Sequence, residues 1–201
     1  MLLTLLFEKS ITMGKEILIE FNDNQHILSE SIGSETCVAG HIFQNGSSVY
    51  HTHLENNHPS VTDMINELFA RYMFETKEHG VVTSNKIFRY SVGETLLREF
   101  TTVMHKAIAE SHDYVKFRTE SASKMMDIRD SLIKIDINNT KLLEAINDCI
   151  MFITYDYQKK YIENLRNKLT AVNTKFRSTN NEMSYIRSLK HIGINMRIEN
   201  R

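Results

Sequence analysis

Between Asn139 and Phe176 the chain runs without a proline or a glycine, and apolar residues return every three or four positions: Leu142, Ile146, Ile150, Ile153, Tyr157, Tyr161, Leu165, Leu169, Val172 and Phe176. That is the period of a helix with one apolar stripe. Uninterrupted, it would extend on the order of 50 Å, longer than a small domain is wide. It must therefore pack along other helices or pair with another chain. The same period marks a helix after Gly93, through Leu96, Leu97, Phe100, Val103, Met104 and Ile108, and predicts another over about 114–135. "RSTNNE" at 177–182 breaks the long helix, and a short basic amphipathic tail follows.

The first ninety residues obey a different rule. "KEILIEF" (15–21) alternates and ends in the turn signal "NDN"; "TCVAGHIF" and "SSVYHTH" flank "QNG", which predicts a hairpin through Asn45 and Gly46. After the single proline, Pro59, the spacing of Val61, Ile65, Leu68, Phe69, Tyr72 and Met73 is helical, and "HGVVTSNKIFRYSV" (79–92) returns to strands around a "TSNK" turn. The expected class is α+β: a small mixed sheet with a capped helix over residues 1–92, then a mainly helical extension over 93–201 that carries the one long helix.

Composition narrows the partners. A formal net charge of -1 without a block of like charges argues against a nucleic-acid partner. Cys37 and Cys149 lack CxxC spacing, which fits a reducing, cytoplasmic compartment rather than a disulfide scaffold. "MLLTLLFEKSIT" is apolar for seven residues only, too short to span a membrane, and is expected to be a packing segment.

The chemistry concentrates in "HTHLENNHPSVTD". His51 and His53 share one face of a strand end, so both imidazoles can turn to one ion, and Asp63 stands in the first turn of the helix behind them. Two imidazoles and a carboxylate on rigid elements leave a fourth tetrahedral position for water, the layout of a catalytic zinc site. Capping explains part of the same pattern, with Ser60 as N-cap and Asp63 as its partner at the third helical position. Capping does not call for two histidines on the preceding strand. His58 is expected as polar turn filler, and His105 and His112 as surface residues.

The stretch resembles the metal-binding signature of the JAMM (JAB or MPN+) metalloproteases, in which a strand-borne HxH is followed by SxxD. The resemblance covers about residues 16–92, with "LENNHP" one residue shorter than the family's usual spacing and Leu54 where proline is frequent. It implies His51, His53 and Asp63 as zinc ligands and Ser60 as a hydroxyl that helps hold the oxyanion. It further implies a glutamate base near a glycine and before an apolar run: Glu35 in "SETCVAGHIF", with Glu30 in reserve.

Two functions are then expected to compete. One is a zinc hydrolase that cleaves an amide or isopeptide bond in a protein or peptide substrate. The other is a non-enzymatic assembly protein of a phage, virus or bacterium, forming a homo-oligomer through the long helix, with a structural or vestigial metal site.

Overall fold

The computed structural model describes residues 2–34, 43–55, 57–110 and 159–201. Two compact units can be distinguished. One comprises Met1–Val38, Phe43–Arg98 and Asn164–Arg201; the other comprises Ala39–Ile42 and Glu99–Glu163.

The first unit is built on a six-stranded mixed sheet. Helix α1 (Leu2–Met13) leads into β1 (Ile17–Phe21) and β2 (Ile27–Ile32), an antiparallel pair. Strand β3 (Ser48–Thr52) runs antiparallel to β1 on one side and parallel to β4 (Glu78–Val82) on the other. Helix α2 (Val61–Phe74) makes the crossover between these two parallel strands, the connection that parallel pairing demands. A tight turn at Thr83–Asn85 returns the chain as β5 (Lys86–Val92), followed by α3 (Glu94–Glu110). The described C-terminal part comprises α4 (Lys159–Thr179), α5 (Glu182–Ile192) and β6 (Ile194–Asn200), and β6 pairs antiparallel with β5. The sheet order is β2-β1-β3-β4-β5-β6.

Period-2 alternation divides the sheet into two faces. Ile17, Ile19, Tyr50 and Val82 turn to one of them and are covered by Leu3, Leu6 and Phe7 of α1, which makes the opening apolar run a packing helix. Helix α2 buries Met64, Ile65, Leu68, Phe69 and Ala70, its stripe recurring as its sequence predicts. Each of the larger of these side chains, from Met64 to Phe69, contributes roughly 1.5–3 kcal/mol. The Tyr50 hydroxyl donates to Glu78, and Arg89 reaches Glu78, Tyr50 and Glu199, tying β3, β4, β5 and β6 together.

The hairpin through Asn45 and Gly46 does not form, because both edges of β3 are taken by β1 and β4. Instead the turn is tied to the end of α2, where the Gly46 N–H donates to the Phe74 carbonyl at 2.9 Å. The basic tail is not only a helix: Gly193, in the left-handed region at φ +99°, ends α5 and turns the chain into β6. Asn181 caps α5 where the break was expected. The helix over 114–135, the long helix before Lys159, and Glu35, Cys37, His41, His112 and Cys149 lie outside the described residues.

Within the second unit Phe100 is buried and its ring lies 5.9 Å from that of Tyr161. Among the described residues no helix is long and apolar enough to cross a membrane.

Candidate metal centre

Register places the histidines. Leu18 of β1 pairs with His51 of β3, and successive odd positions of β3 alternate away from Tyr50, so Val49, His51 and His53 line the face opposite α1. Helix α2 begins against that face. Its start is a complete capping box: the Asp63 N–H donates to Ser60 Oγ at 3.0 Å, and the Ser60 N–H donates to Asp63 Oδ2 at 2.6 Å. Asp63 is thus both the partner of the Ser60 cap and a candidate ligand.

The three donors converge. His51 Nε2 lies 3.5 Å from Asp63 Oδ1, His53 Nε2 lies 3.5 Å from Asp63 Oδ2, and the two Nε2 atoms are 3.0 Å apart. One donor atom from each residue falls within 4.8 Å of the other two, a group that could hold a metal ion. The chemistry of the donors fits. His53 Nδ1 is 3.1 Å from the Asn57 carbonyl, which can only accept, so Nδ1 carries the proton and Nε2 presents its lone pair to the centre.

Electrostatics agree with that arrangement. Burial alone would raise the Asp63 carboxyl, but the charges and hydrogen bonds of His51, His53 and the Ser60 N–H hold it well below the usual carboxylate range. Burial opposes protonation of His51, yet the Asp63 carboxylate outweighs it and moves His51 up. Burial and the neighbouring His51 move His53 down.

A second carboxyl, absent from the sequence expectation, faces the same space. Glu16 stands two residues before Leu18 on the same face of the chain and lines one cavity with His51, His53, Ser60 and Asp63, of about 460 Å³. Burial pushes its carboxyl up to about 7, against the His51 charge and with help from Asp63 and Glu55. Its backbone is pinned on both sides: the Glu16 N–H donates to the Ser34 carbonyl at 2.7 Å, and its carbonyl accepts from the Gly33 N–H at 2.9 Å. Next to it the Ile17 N–H donates to Thr52 Oγ1, which lies 2.7 Å from Ser10 Oγ of α1. "GKEILIEF" carries the same signal as "GSETCVAGHIF", a glutamate two residues after a glycine and before an apolar run.

The C-terminal helices hold the loop between His53 and Ser60. His58 is buried rather than turn filler, set edge-on to the stacked rings of Phe176 and Tyr185. Asn173 Nδ2 donates to the Pro59 carbonyl at 3.1 Å and its Oδ1 accepts from the Tyr185 hydroxyl. Arg177 of α4 reaches the cavity wall. His105, by contrast, is exposed on α3. Comparison with known proteins finds no family model, curated protein or solved structure that matches the chain.

Proposed function

We propose that the chain is a zinc-dependent hydrolase that cleaves an amide or isopeptide bond with water, in the manner of the JAMM metalloproteases it resembles. The observation that carries this reading is the presence, in one cavity, of the convergent His51, His53 and Asp63 donors and a separate carboxyl, Glu16, poised near neutrality. Zinc held by those three residues would polarise the carbonyl and make water acidic near neutral pH.

The remaining work falls to side chains. Glu16, in its ionised form, takes the proton of the attacking water as the oxygen bonds to the carbonyl carbon, then returns it to the leaving nitrogen as the C–N bond breaks. Ser60 Oγ accepts from the Asp63 N–H, which leaves its own proton free to donate to the oxygen that gains charge. Glu16 takes the base role here because it lines the cavity of the three donors, whereas Glu35 lies outside the described residues.

The assembly reading draws no support from the described part of the long helix, where Leu165, Leu169 and Phe176 are buried within the chain. The test is elemental analysis of protein purified without a metal-binding tag, beside His51→Ala, with hydrolysis of linear and isopeptide-linked peptides followed in both. One equivalent of zinc and turnover in the native protein, with neither in the variant, is expected. Absence of zinc from both would overturn the proposal.

A further inference from the structure

The cavity of the candidate centre does not end at the metal ligands. A second cavity of about 330 Å³ adjoins it, and the two share Asn57, His58 and Arg177 as wall. A substrate held at the centre therefore has room to continue past Arg177 into the neighbouring space.

The donors at that junction are unequal. Asn57 is committed, its carbonyl to His53 and its amide to Glu55. Lys86, on the far side, is neutralised by Glu182. Among the described residues Arg177 is the only lysine or arginine lining the larger cavity, and it pairs with no acid there, although Glu16, Glu55 and Asp63 line the same space. Four other arginines of the unit are committed: Arg71 to the Thr76 carbonyl, Arg89 and Arg197 to Glu78, Arg201 to the carbonyls of Thr83 and Ser84. A guanidinium fork matches a carboxylate in a two-point contact.

From this placement we infer that Arg177 anchors a carboxylate of the substrate and makes the protein selective for peptides that carry one, at a free C-terminus or on an acidic side chain. The inference rests on the hydrolase reading for its catalytic consequence, but the binding it describes does not depend on turnover. Arg177 acts as a specificity residue: its contact positions the chain beyond the scissile bond and takes no proton.

The experiment compares three matched libraries of N-acetylated peptides: free C-terminal acids, C-terminal carboxamides, and carboxamides with one internal glutamate. Zinc-loaded native protein and Arg177→Ala and Arg177→Lys variants are assayed for kcat/KM, and calorimetry measures binding to zinc-loaded and metal-free protein. Native protein should favour one carboxylate-bearing library over the plain carboxamides by roughly 10- to 100-fold, the worth of a charged hydrogen-bonded contact. Which library wins identifies the source. Arg177→Ala should collapse that ratio through KM, and Arg177→Lys should restore part of it. Cleavage without discrimination, or a ratio unchanged in Arg177→Ala, would overturn the inference and leave the hydrolase reading standing. An equal loss of kcat on all libraries would overturn it too, since it would put Arg177 at the reacting oxygen. Selective, Arg177-dependent binding without cleavage would sustain the inference and remove the hydrolase. Neither cleavage nor selective binding would remove both.

Discussion

Ser60 and Asp63 are bound reciprocally, each backbone N–H donating to the other's side chain, while the same Asp63 carboxylate faces His51 and His53. A cap and a ligand need the same thing from that position, a fixed anion at a helix start. The two roles separate on substitution. Ser60→Ala should cost about 1 kcal/mol of stability and keep zinc. Asp63→Ala should cost about 0.3–1 kcal/mol yet lower zinc affinity by more than the roughly 100-fold typical of removing an outer hydrogen-bond partner. Thermal melts and zinc titration of both variants check this, and equal zinc affinity in the two would return Asp63 to capping alone.

Glu16 should titrate near 7 in the metal-free protein, where burial favours its neutral form. A bound cation reverses that preference, so zinc should move Glu16 downward and release protons on binding between about pH 5 and 7. Carbon-13 NMR of glutamate-labelled protein reads the first effect, and calorimetry in buffers of different ionisation enthalpy reads the second. Glu16→Gln should retain zinc and lower hydrolysis by roughly 10²- to 10⁴-fold. Turnover that survives in Glu16→Gln would place the base elsewhere.

What could be read from the residues was whatever depends on neighbours in the chain. The start of α2 at Ser60, the turn at 83–85, α3 after Gly93 and the break at Asn181 all follow from caps, periods and turn residues. The partners of β3 do not, because a strand's period says which side chains share a face but not which strand lies beside it. Glu16 was missed for that reason. Only the pairing of Leu18 with His51 brings its end of β1 to the histidines. Strand β6 is not legible in "INMRIEN" because it follows directly on a helix, and its pairing with β5 is a long-range contact.

Gly80 is a position of close approach. A Cβ there would lie 2.3 Å from a ring carbon of Tyr50 and 3.0 Å from the Phe88 carbonyl oxygen. Tyr50 is fully buried and held by Glu78 and Arg89, so it has little room to yield. Gly80→Ala should therefore destabilise the protein by about 1–3 kcal/mol, seen as a lower midpoint in urea with an unchanged slope. A midpoint equal to that of the native chain would mean that Tyr50 repacks freely.

His58 makes stability depend on pH. Burial, with Arg177 and His53 adding to it, lowers its pKa to about 4 from an ordinary 6.5. Between those values the unfolded chain binds a proton that the folded chain refuses, so this residue's contribution is lost as pH falls through that window. The expected slope is about 1.4 kcal/mol per pH unit. Glu16 acts with the opposite sign between about 4.5 and 7, because there the folded state holds the extra proton. The difference between native protein and His58→Phe cancels the Glu16 part. The Phe176 and Tyr185 rings that flank His58 can accept a phenyl ring, and His58 Nε2 has no hydrogen-bond partner among the described residues to lose. His58→Phe should thus equal or exceed the native protein at pH 7, and its advantage should widen steadily to pH 5. Chemical denaturation at half-unit steps of pH measures that gap, and a constant gap would show that His58 accepts its proton in the folded state as readily as in the unfolded one.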